Sequence, residues 1–311
     1  MEPTGYRGTM RKWALWLGTL SLLAGGCEPQ RYHADTPSVY ESARSCAQVN
    51  QDNFYASDAY ATFYLTVATG DPAFPPWWEG GTTREHPQWQ LNDPYLGRGY
   101  EGAVTFEIAK RMGFRRDRVT FAPIRFDESF APGPKPADFV VQQISSTPER
   151  ARNVDFSEGY YDVRQALVSV PGSPIATITS LDQLRDARLG ASADTTSLGE
   201  IEHTIRPRTR PTVFGDLAAA VRGLKGGRVD GIVVDLASAS YIATVELPEA
   251  VIVGRLPASG PGDHFALALV NGSPITQCVN IALQEMKGDG TLAKLRRRWL
   301  GGTTGAPLIE G

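Results

Sequence analysis

Four short segments carry side chains that could grip a small polar molecule. In Ser145-Ser146-Thr147-Pro148-Glu149-Arg150, Thr147 is a good N-cap, Pro148 suits a first helical position, and Glu149 favours the positive end of a helix dipole. Free backbone N–H groups at such a terminus bind anions, and Arg150 adds a planar fork able to hold a carboxylate through two hydrogen bonds. The same pattern also describes a well-capped helix with a surface arginine. In Ser192-Ala193-Asp194-Thr195-Thr196-Ser197-Leu198-Gly199-Glu200, Ser197 and Glu200 have capping-box spacing, which reads equally as an anion site or a structural cap. Asp235 directly follows the apolar run Val229 to Val234; its carboxylate could pair with an ammonium group or cap the helix expected over 236–244. The loop from Thr69 to Trp78 gathers Asp71, Phe74 and Trp77 among prolines, and aromatic walls suit small-ligand pockets and ordinary core alike.

Catalytic signatures are missing from this inventory. The four histidines, His33, His86, His203 and His264, stand at no metal-ligand spacing with another His or Cys. There is no nucleophile elbow, phosphate loop or dinucleotide fingerprint. No catalytic residue, metal or cofactor is therefore assigned.

The elements that must position these segments alternate. Strands are expected over 64–69, 119–122, 139–141, 165–170, 188–191 and 229–234. Apolar positions Val104, Ile108 and Met112 mark a helix that Gly113 ends. Further helices are expected over 216–225, 274–288 and 291–300. This alternation argues for an α/β fold with largely parallel sheets, where ligands bind at strand ends.

The chain has 311 residues, 31 basic against 34 acidic side chains and a net charge of −3. That balance argues against nucleic-acid binding. Arg7, Arg11 and Lys12 precede a short apolar run, Trp13 to Ala24, which suits a signal peptide and is too short to span a bilayer. Leu23-Ala24-Gly25-Gly26-Cys27 resembles the lipobox of bacterial lipoproteins, which implies cleavage before Cys27 and diacylglycerol on its thiol. Cys46 and Cys278 are the remaining cysteines, and in an exported chain they are either bridged or separately buried.

Taken in order, these pieces resemble the amino-acid-binding family 3 of ABC-transporter solute-binding proteins, with the type II periplasmic-binding fold. The resemblance runs over residues 64–301 and rests on Tyr64 to Trp77, Gly99-Tyr100-Glu101-Gly102, Ile144 to Arg150, Gly190 to Ser197, Gly227 to Asp235 and Lys287 to Trp299. It implies two lobes, each a mostly parallel sheet flanked by helices, joined by crossovers near 168–170 and 262–265, and closing on ligand as a hinge. It implies that Phe74 packs on the ligand side chain, that Ser145, Arg150 and Thr196 hold its carboxylate, and that Asp235 pairs with its ammonium. Asp71, Trp77, Gln143 and Thr195 complete the expected ligand set.

The implied organisation is a signal peptide over 1–26, a tether and extension over 27–62, lobe 1 over 63–168, lobe 2 over 169–262, the rest of lobe 1 over 263–302 and a tail over 303–311. The implied function is the substrate-binding component of an ABC importer, a monomer lipid-anchored outside the cytoplasmic membrane, delivering a small polar solute, an amino acid above all, to a permease and its ATPase subunits. A dehydratase-type cleft enzyme and an amino-acid sensor are the other readings. The sequence departs from the family pattern at Ser129 to Pro136, where four helix breakers forbid a helix; at Gln142 and Gln143, which make the pocket floor more polar; and at Asp194, where glycine is common and a carboxylate would weaken an anion clamp.

Overall fold

The computed structural model describes residues 64–258, 262–301 and 305–311. The expected leader and tether, with Cys27 and Cys46, lie outside the described residues. Two five-stranded sheets and a two-stranded ribbon organise the rest.

In the first lobe, β1 (Leu65–Thr69) feeds a long loop and then α1 (Tyr100–Arg111), followed by β2 (Val119–Pro123), the one-turn α2 (Phe126–Ser129), β3 (Phe139–Val140) and β4 (Val154–Phe156). Helix α1 starts behind Gly99, whose φ is +86° and where a Cβ would fall 2.4 Å from the Trp77 carbonyl oxygen. Only glycine fits so close an approach. Glu101 lies in the first turn of α1, and Lys110 and Arg111 in the last, which suits the helix dipole. The breaker-rich stretch after α2 contains no helix, as its prolines demand.

The chain then crosses. Strand β5 (Tyr161–Asp162) leads into β6 (Gln165–Ser169), the first strand of the second lobe's sheet. That lobe continues with β7 (Leu189–Ser192), α3 (Thr196–Glu200), β8 (Thr212–Phe214), α4 (Leu217–Lys225), β9 (Gly231–Asp235), α5 (Leu236–Tyr241) and β10 (Val251–Arg255). The return crossing is β11 (His264–Phe265), which pairs antiparallel with β5. Strand β12 (Ala268–Val270) then rejoins the first sheet, and α6 (Thr276–Gly288) and α7 (Thr291–Leu300) pack near α1. Arg111 ties these three helices together, donating to Glu107 of α1 at 2.9 Å, Glu285 of α6 at 3.3 Å and Thr291 of α7 at 3.2 Å, and to Asp289 between the last two at 2.7 Å.

Both sheets are mixed yet mostly parallel, as expected: in each, four strands run one way and a single strand, β12 or β6, runs against them. β1 pairs parallel with β2 and β3, while β12 runs antiparallel to β3 and β4. β7 pairs parallel with β8 and β9, while β6 runs antiparallel to β9 and β10. The two reversed strands, β6 and β12, are the ones that enter a sheet straight from a crossing. Because β6 already belongs to the second sheet, the first crossing lies at 161–164 and not at 168–170. Residues 305–311 are no free tail either: Leu308 bridges to Arg255, Glu310 to Ser180, and Ile309 is buried in the second lobe's core.

Each sheet is covered on both faces. Trp77, Tyr100, Ile108, Phe139 and Leu267 fill one side of the first sheet, and Ile124, Val140 and Ile144 lie in the cluster on the other. In the second lobe, Val168 and Ile232 belong to one core cluster and Leu167 and Val233 to another. These residues alternate along β6 and β9, so each strand is apolar on both faces, as a covered strand must be. Cys278 in α6 is disulfide-bonded.

Candidate functional site

Loops leaving the C-terminal ends of β1, β3, β7 and β9 meet in a cavity of about 780 Å³ between the lobes. This is the position at which open α/β sheets bind ligands. Asp71, Phe74, Gln143, Ser145 and Arg150 line it from the first lobe, and Thr195, Thr196 and Asp235 from the second. Eight of the nine expected ligand residues therefore meet. Trp77 does not join them. It is buried, packs edge-on against Tyr100, Tyr161 and Phe265, and donates its indole N–H to the Ser238 hydroxyl at 3.1 Å. Its large apolar surface serves the core beneath the hinge.

Arg150 is buried, and its guanidinium lies 4.1 Å from the centre of the Phe130 ring and 5.6 Å from that of Phe126. The breaker-rich stretch thus contributes an aromatic seat. Nη1 donates to the Ser145 carbonyl at 2.8 Å, and Nη2 crosses the cleft to the Asp194 carbonyl at 2.6 Å. Burial pulls the Arg150 pKa down, opposed by the charges of Asp263 and Asp194. No helix follows Thr147. The chain makes one 3-10 turn over Arg150–Arg152 and returns to the sheet at Val154, so the expected helix N-terminus is replaced by a single turn, with Thr147 Oγ1 accepting from the Arg150 N–H at 3.3 Å.

Across the cleft, Asp194 has φ +58°, the left-handed region that explains why glycine suits this place. The turn it makes starts α3 two residues before the expected cap. Thr195 is the N-cap, accepting from Leu198 N–H at 3.2 Å. Ser197, expected to cap, instead donates to Gln165 Oε1 at 2.7 Å. Asp194 enters the clamp through its carbonyl, which draws Arg150 across.

Asp235 caps α5, with Oδ1 accepting from Ser238 N–H at 2.9 Å. Burial pushes its carboxyl upward in pKa, against the hydrogen bonds from the helix start. The cap reading is realised, and the carboxylate also lines the cavity.

Three functional residues were missed in the sequence. Gln165 opens β6 ahead of the apolar Ala166, Leu167 and Val168 and bonds to Thr196 Oγ1 at 3.3 Å as well as to Ser197; a polar residue at the head of a buried strand was the available signal. Asp263, in a Gly- and Pro-rich segment, accepts from Ser145 Oγ at 2.8 Å and Thr196 Oγ1 at 3.1 Å. Nothing local marks it, because its partners are 118 and 67 residues away. Glu101 is fully buried and accepts from Trp78 Nε1 at 3.0 Å, Gln143 N–H at 2.7 Å, the Gln143 side-chain amide and the Tyr160 hydroxyl. It thereby secures Gln143, whose φ is +48°.

Desolvation pushes the Glu101 carboxyl up to about 7 against its four donors. Its folded pKa exceeds its unfolded value of 4.5, so its stabilising contribution is complete below that value and is lost as pH rises through about 7. Urea unfolding at pH 5 and pH 8 is expected to show the wild type losing on the order of 3 kcal/mol more than Glu101→Gln over this interval. Parallel losses in the two proteins would contradict the assignment.

Among the described residues no group of three or more His, Cys, Asp or Glu side chains could hold a metal ion, and no helix is long and apolar enough to cross a membrane.

Known proteins resemble this chain in sequence and fold. The arginine-binding extracellular protein ArtP of Bacillus subtilis is 25% identical over 231 residues, covering 71% of this chain and 85% of that protein. The L-cystine-binding protein TcyA of Bacillus subtilis is 29% identical over 207 residues, covering 65% and 72%. Among solved structures, an ancestral arginine-binding protein bound to glutamine superposes with a TM-score of 0.61 at 30% identity, covering 76% of this chain and 98% of that one. Residues 81–302 match the family model of bacterial extracellular solute-binding proteins, family 3, and with the two-lobed fold and its inter-lobe cavity this match shows that the chain belongs to that family.

Proposed function

We propose that the chain captures an amino acid with a cationic side chain and delivers it to an ABC permease. One observation carries the cationic preference. Among the described residues, Asp71, Asp127, Glu128, Asp194, Asp216 and Asp235 line the cavity against only Arg125 and Arg150. Arg125 is itself paired with Asp127 at 2.5 Å. Walls of one sign in a low-dielectric cleft focus the field and concentrate the opposite charge. Ser145, Arg150 and Thr196 hold the ligand carboxylate in this reading, Asp235 its ammonium, and Phe74 the apolar stem of its side chain. The arginine-binding relatives support this choice. We read the cleft as binding and not catalytic, because its carboxylates sit on caps and backbone N–H groups: Asp235 on Ser238, Asp216 on Ala219, Asp71 on Gln90. A thermal-shift panel of the common amino acids, sugars and polyamines tests the reading. Arginine, lysine or histidine should stabilise the protein by about 2.7 kcal/mol at a hundred times the Kd, and stabilisation by sugars alone would refute it.

We further propose that Cys27 carries a diacyl anchor on the outer face of the cytoplasmic membrane, and that Cys46 is the disulfide partner of Cys278. One variant tests both. Cys27→Ser should leave the membrane fraction or remain unprocessed, since anchoring needs the acyl chains. Denatured without reductant, it should show no titratable thiol. Membrane binding and processing like wild type would refute the anchor, and two free thiols would refute the pairing.

A further inference from the structure

Asp263 occupies the place this reading gives to the ligand's carboxylate. Its main chain is fixed at the hinge: its carbonyl accepts from Val163 N–H at 2.9 Å, and that of His264 accepts from Ser146 N–H at 3.1 Å. Its Oδ2 accepts from the Ser145 hydroxyl of one lobe and the Thr196 hydroxyl of the other, at 2.8 and 3.1 Å, and the two hydroxyl oxygens are 3.2 Å apart. Its charge acts on the buried Arg150. A hydroxyl has one hydrogen to donate, so both clamp hydroxyls are spent on a carboxylate of the chain itself. Arg150 meanwhile has one hydrogen on each terminal nitrogen committed to a carbonyl. A second carboxylate cannot enter beside the first without strong like-charge repulsion at this separation.

We infer that Asp263 is a resident occupant of the clamp that a ligand's carboxylate must displace, and that it thereby sets how strongly the site favours amino acids over the matching amines. The inference rests on the clamp being the carboxylate site. By holding one hydroxyl from each lobe, Asp263 makes the cross-cleft contact that a bound carboxylate would make. Apparent affinity for a carboxylate ligand falls by the fraction of molecules in which the clamp is vacant, whereas an amine without a carboxylate leaves Asp263 in place and escapes this penalty.

The test compares wild type, Asp263→Ala and Asp263→Asn by calorimetry with two matched pairs, L-arginine with agmatine and L-lysine with cadaverine. Asp263→Ala should improve the affinity for the amino acid relative to its amine by about tenfold or more, the gain expected if the clamp is vacant in a tenth of wild-type molecules. Asp263→Asn should gain less, because its amide still accepts a hydrogen bond. If wild type binds an amino acid and neither variant changes the ratio, or both lower it, Asp263 is no competitor and the inference falls while amino-acid capture stands. If only the variants bind amino acids, the inference stands and capture by the natural chain falls. Binding of no amino acid by any of the three proteins overturns both. Should Asp263→Ala not fold, Asp263→Asn decides by the same criteria.

Discussion

Arg150→Ala is expected to abolish detectable amino-acid binding. The guanidinium is the cationic partner of the ligand carboxylate in the proposed clamp; it is buried, and it holds the two lobes through the Asp194 carbonyl at 2.6 Å. Removing one partner of a buried charge-assisted pair costs about 2–5 kcal/mol, roughly a 30- to several-thousand-fold loss of affinity. The variant also strips the Ser145 and Asp194 carbonyls of their donor and uncovers Phe126 and Phe130. A parallel fall in folding stability of about 1–3 kcal/mol is therefore expected. Arg150→Lys separates the two roles. It restores the charge and one donor without the planar fork, so it should recover more stability than affinity. Calorimetry and urea unfolding on both variants decide. Binding by Arg150→Ala within threefold of wild type would show that the clamp is misplaced.

The second large effect is expected at Asp235. Asp235→Asn keeps an oxygen that can cap α5 at Ser238 but removes the charge that faces the cavity. Asp235→Ala removes both. Each should lose about 30-fold or more in affinity, because an ammonium left unpaired in the cleft costs about 2–5 kcal/mol. Only the alanine variant should also lose about 1 kcal/mol of stability with the cap. The pH dependence has a defined sign. Burial raises the Asp235 pKa, and only the carboxylate attracts an ammonium, so wild-type affinity should fall as pH drops toward that raised value. The asparagine variant should lack this limb. Equal affinity of Asp235→Asn and wild type would place the ammonium elsewhere.

Which parts of this site were legible in the sequence follows from the range of the interactions. Ser145, Arg150, Thr195, Thr196 and Asp235 each stand where a strand gives way to a turn or cap, and such boundaries are written in neighbouring residues. Even there, the start of α3 was misplaced by two residues, because the positive φ of Asp194 is a property of the closed turn and not of residue type. The helix expected after Thr147 shrank to one turn because the chain must reach β4 at Val154, a demand made by the sheet. Trp77 shows the opposite failure. An aromatic beside a pocket loop and an aromatic plugging a core have the same local sequence, and only the packing of Tyr100, Tyr161 and Phe265 around it decides. Glu101 and Asp263 were invisible for a third reason. Their partners lie far along the chain, and the pairing exists only once the lobes and hinge are assembled. The short strands β5, β11 and β12 were missed as well, since they are two or three residues long and carry too few side chains for a period to show.

The central claim is that one cleft holds both poles of a cationic amino acid. Calorimetric titration of the processed, wild-type protein with L-arginine, L-lysine and L-histidine tests it most directly, with D-arginine as the stereochemical control. Saturable binding at one site per chain by at least one of the L-amino acids is predicted. A loss of at least about tenfold is expected for the D-form if L-arginine binds, because inverting the α-carbon breaks one of the two poles, a change of about 1.4 kcal/mol or more. No saturable heat with any of the three, in a protein that takes up a neutral sugar or a dicarboxylate, would contradict the account.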